Sequence, residues 1–163
     1  MNELKKWIFI VLAVVLVVLI WQSVSVYRSA MAEKNNDADE ARKLASEHYS
    51  IKQIKDVTFY HGKKDYHVVD AVLKNGRHVY IWVPEKASDQ YLMLPVSGGY
   101  TKSEILKAFQ SHVSYKRIVS TRLGIEDGRP AWEITYIDTD GGYVFSYYDF
   151  ETGESIIDPI SIQ

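Results

Sequence analysis

The chain has 163 residues, 47% of them hydrophobic, and a formal net charge of −2 at pH 7. This composition is too apolar and too evenly charged for a disordered chain, so we expect a folded protein. From residue 28 onward the chain contains 17 Lys and Arg and 20 Asp and Glu. This balance leaves no excess positive charge for binding nucleic acid. The sequence holds no cysteine, which excludes thiol catalysis, disulfide bonds and zinc-thiolate sites.

The chain begins with a long apolar segment. No polar residue interrupts Trp7 to Trp21, and with residues 22–26 the segment would span roughly 30 Å as a helix, the thickness of the hydrocarbon core of a bilayer. Lys5 and Lys6 precede it, which favours a cytoplasmic N-terminus. We therefore predict a cytoplasmic start over residues 1–6, a transmembrane signal anchor over residues 7–27 that contacts membrane lipid, and an extracellular remainder.

A cleaved secretory signal is the alternative for this segment. Ala30, Met31 and Ala32 have the small-x-small pattern of a signal-peptidase site. Against cleavage, the apolar run is long for a signal peptide, and Arg28 lies within the region that would precede the cut. Under both interpretations, the rest of the chain is exported from the cytoplasm.

A helix and a set of strands are predicted next. Asp37 and Glu40 have the spacing of a capping box, which predicts a helix that starts there and ends near Tyr49. Beyond it the apolar residues recur with period two, and Asn75-Gly76 is a strong hairpin signal. The strands of this first set are predicted over 54–60, 66–73, 78–83 and, as a short fourth, 91–94.

The same order of elements recurs after a predicted linker at residues 95–99. Thr101 and Glu104 form a second capping box, which predicts a helix to about His112. The second set of strands is predicted over 116–125, 131–138, 143–150 and 155–157. The repeat predicts an α+β fold of two tandem domains, each with one helix packed on an antiparallel sheet of three or four strands. One continuous sheet carrying both helices is the alternative.

The end of the second repeat resembles a family signature. The predicted strand ends with Tyr147-Tyr148, Asp149 comes next, and Thr152-Gly153-Glu154 follow two residues later. This pattern is similar to the end of PepSY-like domains. Asp149 can accept hydrogen bonds from backbone amides of the turn, and Gly153 can adopt the positive φ that closes it. With the segments at 29–32, 80–84 and 132–136, nearly the whole chain resembles the YpmB or TseB-like cell-wall elongation regulators of Bacillus-type bacteria.

This resemblance implies a fold and a partner. It implies a membrane anchor followed by two cystatin-like or PepSY-like domains outside the cell, at residues 28–94 and 100–163. It also implies association with a class B penicillin-binding protein in cell-wall elongation. The first repeat departs from the signature, because Pro84 to Ser88 stand where the second repeat has Asp149 to Gly153, so a role of that turn transfers to the second domain only.

The sequence shows no catalytic pattern. None of the five histidines pairs with Glu at the spacing of a zinc protease, and Ser-x-x-Lys and Gly-x-Ser-x-Gly are absent. His67 and His78 could pair across neighbouring strands, but no third metal ligand is evident. The acidic residues between 138 and 154 lack the spacing of a calcium loop. We therefore expect no catalytic residues, no metal and no cofactor.

Aromatic residues are the candidate partner contacts, because interfaces are enriched in Tyr and Trp. Tyr147 shares a strand face with Tyr143, and Trp82 shares one with Tyr80. Such a row could instead pack beneath the helix of its own repeat. Tyr100, beside two glycines, is a candidate for contact between domains or with a partner.

Two functions follow from these expectations. We expect a non-enzymatic regulator of cell-wall elongation that binds a penicillin-binding protein. A protease inhibitor or chaperone is the alternative, because PepSY-type domains also occur in peptidase propeptides. No pattern in the sequence indicates an oligomeric state.

Overall fold

A computed structural model describes residues 3–86 and 88–162. The helices are α1 (Glu3–His48) and α2 (Lys102–His112), with a 3-10 turn at Val96–Gly98. The strands are β1 (Ile51–His61), β2 (Asp65–Leu73), β3 (His78–Pro84), β4 (Leu92–Pro95), β5 (Arg117–Glu126), β6 (Arg129–Ile137), β7 (Tyr143–Asp149) and β8 (Ile160–Ile162). The chain divides into two compact units, one up to Asp39 and one from Glu40 onward.

Helix α1 is longer than predicted. It continues from Glu3 to His48, so the prediction of a separate helix start at Asp37 is wrong. Residues 28–40 contain no Pro or Gly, and extending an existing helix is more favourable than nucleating a new one. Within the described residues, no helix is both long enough and apolar enough to cross a membrane. The anchor predicted over residues 7–27 stays a prediction.

The first sheet has four antiparallel strands in the order β1-β2-β3-β4. All four predicted strands are confirmed to within a few residues, and Gly76 has the positive φ, 84°, that the predicted turn requires. The last residues of α1 cover one face, where Ala41 and Ala45 are buried against Val69, Ala71 and Ile81. The opposite face of this sheet contributes to a second apolar cluster.

The second sheet also has four antiparallel strands, in the order β5-β6-β7-β8. The predicted capping box of α2 is confirmed: the Glu104 N–H donates to Thr101 Oγ1 at 3.3 Å, and the Thr101 N–H donates to the Glu104 carboxylate at 2.8 Å. The predicted strand at 155–157 is wrong, since only Ser155 forms an isolated bridge. The last strand is β8, which follows Pro159 and pairs with the start of β7.

One apolar core joins the two repeats. Its buried residues come from both sheets and from α2, and include Tyr66, Val68, Tyr80, Trp82, Ile105, Phe109, Leu123, Trp132, Ile134 and Tyr136. Val96, in the predicted linker, is buried in the same core. Two separate sheets therefore share a core, and the alternative of one continuous sheet is wrong. The residue at which one domain ends and the next begins stays a prediction.

Candidate functional site

The two sheets meet at Gly124 of β5. A Cβ placed on this residue would overlap the ring of Tyr60, which β1 contributes and which is almost fully buried. The Gly124 carbonyl oxygen accepts a hydrogen bond from Trp82 Nε1 at 3.0 Å. The junction therefore needs glycine on one sheet and two aromatic residues on the other. A glycine within a predicted strand is the sequence signal of such a close approach. Gly124 lies within the strand predicted over 116–125, but it is not among the residues singled out from the sequence.

Trp82 is a core residue and presents no surface to a partner. Its side chain has no exposed area, and its ring packs edge-on against Phe150 at a centroid distance of 6.3 Å. Tyr80, two residues earlier on the same strand face, contacts Phe150 and Trp132 in the same edge-on manner. The prediction of Trp82 as a partner contact is therefore wrong, because this strand face turns toward the second sheet.

Tyr100 anchors the connection between the sheets to the signature turn. Its N–H donates to the Phe150 carbonyl at 2.7 Å, and its carbonyl accepts from Trp132 Nε1 at 2.8 Å. A Cβ on Gly153 would lie 2.7 Å from the Tyr100 ring. The Tyr100 side chain is half-buried, so it serves a structural contact within the chain, and its contact with a partner stays a prediction.

The signature turn closes by the predicted interactions. Asp149 Oδ1 accepts the N–H groups of Glu151 at 2.9 Å and Thr152 at 3.0 Å. Gly153 has a φ of 71°, which glycine adopts readily and other residues adopt at a cost. An open cleft of 410 Å³ lies beside this turn, lined by residues 97–100, Glu104 and Glu151. Glu104 is occupied by the helix cap, so the cleft does not offer a pair of uncommitted carboxylates for acid–base chemistry.

Tyr147 lies on the face of the second sheet that points away from α2. Strand neighbours alternate between faces, and Tyr148 contacts Phe109 of α2 at a centroid distance of 6.3 Å. Tyr143, Phe145 and Tyr147 therefore share the opposite face, which we call the outer face. This row does not pack beneath its own helix, so the structure excludes that alternative for Tyr147. Its contact with a partner stays a prediction.

Glu133 is a buried carboxylate on the outer face. It pairs with Tyr147 across β6 and β7 and is 7% exposed. Burial raises its pKa, and the Tyr147 hydroxyl and the positive charge of Arg122 offset this only in part. Burial and the charge of Glu133 raise the pKa of Tyr147 to about 12. Burial likewise raises the pKa of Tyr60, and the carboxylates of Glu133 and Glu126 add to this rise.

Glu133 should make stability depend on pH. Its pKa in the folded chain lies above that in the unfolded chain, so the protonated carboxyl favours folding, and this contribution is lost as pH rises through the folded-state pKa. We expect Glu133→Gln to unfold at a higher temperature than the parent chain at pH 7. The difference should vanish toward about pH 4, near the pKa of Glu in an unfolded chain. Thermal unfolding, followed by tryptophan fluorescence, measures the difference in unfolding temperature at pH 7 and its loss at lower pH.

Glu151→Gln is the matched control, because Glu151 is exposed at the signature turn. We expect its unfolding temperature to match that of the parent chain at both pH values. A stabilisation of Glu133→Gln that is the same at pH 4 and pH 7 would contradict the titration of Glu133.

The predicted histidine pair does not form. His67 pairs with Val83, whereas His78 pairs with Val72 at the other end of the two strands. Each has its own acidic neighbour: His67 Nδ1 lies 3.4 Å from Glu85, and His78 contacts Asp70. Across residues 3–86 and 88–162, no group of three or more His, Asp or Glu side chains could hold a metal ion.

A larger cleft of 580 Å³ lies where the ends of the two sheets approach each other. Tyr66, Leu92 and Ile125 line its apolar part. At its rim, Lys63 pairs with Asp127 at 2.5 Å and Lys64 with Asp89 at 2.6 Å. The two lysines are already neutralised, so the cleft has no strong attraction for an anion.

Comparisons with known proteins agree with this architecture. Residues 40–84 match the family model described as the cell wall elongation regulator TseB-like domain, and residues 99–156 match the PepSY model, described as the peptidase propeptide and YPEB domain. The chain is 28% identical over 151 residues to the probable cell wall elongation regulator TseB of Bacillus subtilis (strain 168). This match covers 92% of the chain and 94% of the relative.

A solved structure shows the same fold. The YpmB protein from Bacillus subtilis matches with a TM-score of 0.68 and 27% identity, covering 76% of this chain and 96% of that structure. The TseB-like match contains the end of α1 and strands β1 to β3, and the PepSY match contains α2, β5 to β7 and the signature turn. The resemblance predicted from the sequence is confirmed: the chain carries a TseB-like region followed by a PepSY domain, and over nearly its whole length it is similar to a probable cell wall elongation regulator.

Proposed function

We propose that this protein is a non-enzymatic regulator of cell-wall elongation, anchored in the cell membrane, whose extracellular part binds a class B penicillin-binding protein. The observation that carries the proposal is the match, over 92% of the chain, to a probable cell wall elongation regulator. The non-enzymatic role is supported by how the candidate groups are used. Asp149 stabilises a turn, and Glu104 caps a helix.

The predicted anchor gives this function a physical basis. Two proteins confined to one membrane meet at a high effective concentration, so a modest interface is sufficient for their association. Helix α1 continues without a break from Glu3 to His48, and its last residues are packed on the first sheet. We infer that the anchor at residues 7–27 serves association with the partner rather than folding of the sheets.

Crosslinking in living cells tests the partner. The tagged full-length protein is crosslinked in its own host, purified from the membrane and analysed by quantitative mass spectrometry. We expect a class B penicillin-binding protein to be enriched at least tenfold over membrane proteins of equal abundance. Recovery no greater than that of those proteins would contradict this part of the proposal.

A secreted version tests the anchor. Residues 1–27 are replaced by a cleavable secretory signal in a strain that lacks the native gene. We expect the secreted protein to accumulate in folded form but to restore elongation only in part, because the effective concentration at the membrane is lost. Full restoration by the secreted protein would show that the anchor is dispensable.

Inhibition of a secreted peptidase is the second candidate function. The match of residues 99–156 to a family model described as a peptidase propeptide domain favours it. Incubation of the full-length chain, in mild detergent, with secreted peptidases of its host distinguishes the two functions. Stoichiometric loss of peptidase activity would support inhibition, whereas unchanged activity would oppose it.

A further inference from the structure

We propose that the outer face of the second sheet is the surface on which the partner docks, and that the matching partner surface is an apolar patch bordered by carboxylates. This inference deepens the proposed function and relies on it for the identity of the partner. It rests on the strand register, on the exposure of large apolar side chains and on the position of two arginines.

The strand register places three rows of side chains on the outer face. Residues directly opposite each other in antiparallel strands point to the same side of the sheet, and β5, β6, β7 and β8 are paired in that order. The rows are Arg117, Ile137, Tyr143 and Ile162, then Ser120, Thr135, Phe145 and Ile160, then Arg122, Glu133 and Tyr147. The β7 and β8 side of this face is therefore apolar and aromatic.

The part of the outer face that β7 and β8 form is exposed, unlike the faces of the first sheet. Helix α2 packs on the opposite side, where Phe109 contacts Tyr136 at a centroid distance of 4.9 Å. On the outer face, Tyr143 is 45% exposed, Ile160 48% and Ile162 59%. Large apolar side chains grouped on a surface are typical of protein interaction sites, whereas isolated ones are common everywhere. The first sheet has α1 on one face and the shared core on the other.

Two arginines determine the charge of the matching surface. Arg117 and Arg122 lie on β5, the edge strand opposite β8, and both are exposed. In the part of the chain that the structure describes, neither forms an ion pair with a carboxylate; Glu133, beside Arg122, is buried and accepts from Thr135 Oγ1 at 3.5 Å. Arginine pairs well with carboxylates at interfaces, and Tyr and Arg dominate binding energy there. A partner with apolar residues opposite β7 and β8 and acidic residues opposite β5 fits this face.

A protein is favoured over a nucleic acid or an anionic membrane as the occupant. Both of the latter require clustered positive charge, and the described rows of the outer face hold two arginines, both on one edge strand. The flat apolar area beside them is better matched by another protein surface, with Tyr143 and Phe145 near its centre.

Binding of purified proteins tests the docking surface. The full-length chain in mild detergent is titrated with the extracellular part of the class B penicillin-binding protein of its host. We expect Arg117→Glu with Arg122→Glu to weaken binding at least tenfold, and Tyr143→Ala with Ile160→Ala at least fivefold. The charge-reversed variant should also lose most of the dependence of affinity on salt concentration.

Matched variants on the first repeat are the controls. Arg77→Glu reverses an exposed charge at a turn of the first sheet, and Phe59→Ala removes an apolar side chain that is 38% exposed. Both should bind within twofold of the parent chain, and all variants should keep its unfolding temperature to within a few degrees. A variant that unfolds early is replaced by the single substitutions Arg122→Ser and Tyr143→Ser.

The outcomes separate this inference from the proposed function. If the parent chain binds the enzyme and the outer-face variants bind as well as the controls, the docking surface is wrong and the proposed function stands. If the parent chain does not bind the enzyme, the proposed function fails and the inference fails with it. If the same variants lose binding only to vesicles of anionic phospholipid, the occupant is a membrane and the inference is wrong.

Discussion

Replacing Gly124 by alanine is expected to lower the free energy of unfolding by about 2–3 kcal/mol, as overpacking of a filled core does. The added methyl group would overlap the ring of Tyr60, which is buried and cannot move away without opening the junction of the two sheets. The shift would also disturb the hydrogen bond from Trp82 to the Gly124 carbonyl. Denaturant unfolding of the full-length chain in mild detergent, followed by tryptophan fluorescence, measures the change.

A second glycine and a double variant make this prediction specific. Gly98→Ala is the control, because Gly98 is exposed and a Cβ there would come no closer than 3.3 Å, to the Pro95 side chain. We expect it to change stability by less than about 1 kcal/mol. In a chain that already carries Tyr60→Ala, the Gly124→Ala substitution should cost much less, because the overlap is gone. An equal cost in both backgrounds would show that the Tyr60 ring is not the cause.

Replacing Trp82 by alanine should be the most damaging single change. Removing a fully buried tryptophan costs about 3–5 kcal/mol, because apolar contacts are lost and a cavity remains. Here the change also leaves the Gly124 carbonyl without its donor and removes the contact with Phe150. Trp82→Phe should lie between the alanine variant and the parent chain. Thermal unfolding of the three chains gives the order.

The same variants show whether Trp82 has any direct role in binding. Because its side chain is buried, we expect partner binding by Trp82→Phe to be retained at temperatures where the variant is folded. Tyr143→Ala, at an exposed position, should show the reverse, with nearly unchanged stability and weaker binding. A folded Trp82→Phe chain that has lost binding would place Trp82 in contact with the partner.

Local chemistry allowed much of the fold to be predicted. The strands followed from period-two patterns of Val, Ile, Tyr and Phe, because alternate side chains of a strand meet different environments. The turn at Asn75-Gly76, the cap of α2 and the closure at Asp149 and Gly153 also followed, because each depends on residues only a few positions apart.

The same local rules failed where a competing element was stronger. Asp37 and Glu40 have the spacing of a helix start. Extending the helix that precedes them is more favourable than starting a new one, so α1 continues through both residues. The short run at 155–157 has strand-like residues, but the turn after Asp149 leaves only Ser155 in a bridge. Pairing with β7 is made instead by residues 160–162.

The sequence by itself determined most of the elements, the duplicated order and the family resemblance of this protein, because these depend on periodicity and on short motifs. Only the tertiary structure decided which aromatic row is buried and which is exposed. The rows of Trp82 and Tyr147 have the same alternation along their strands. The second sheet buries the row of Trp82, whereas α2 covers the face opposite the row of Tyr147. Which side of a strand faces a neighbour depends on contacts between residues far apart in the chain, and no local pattern carries that information.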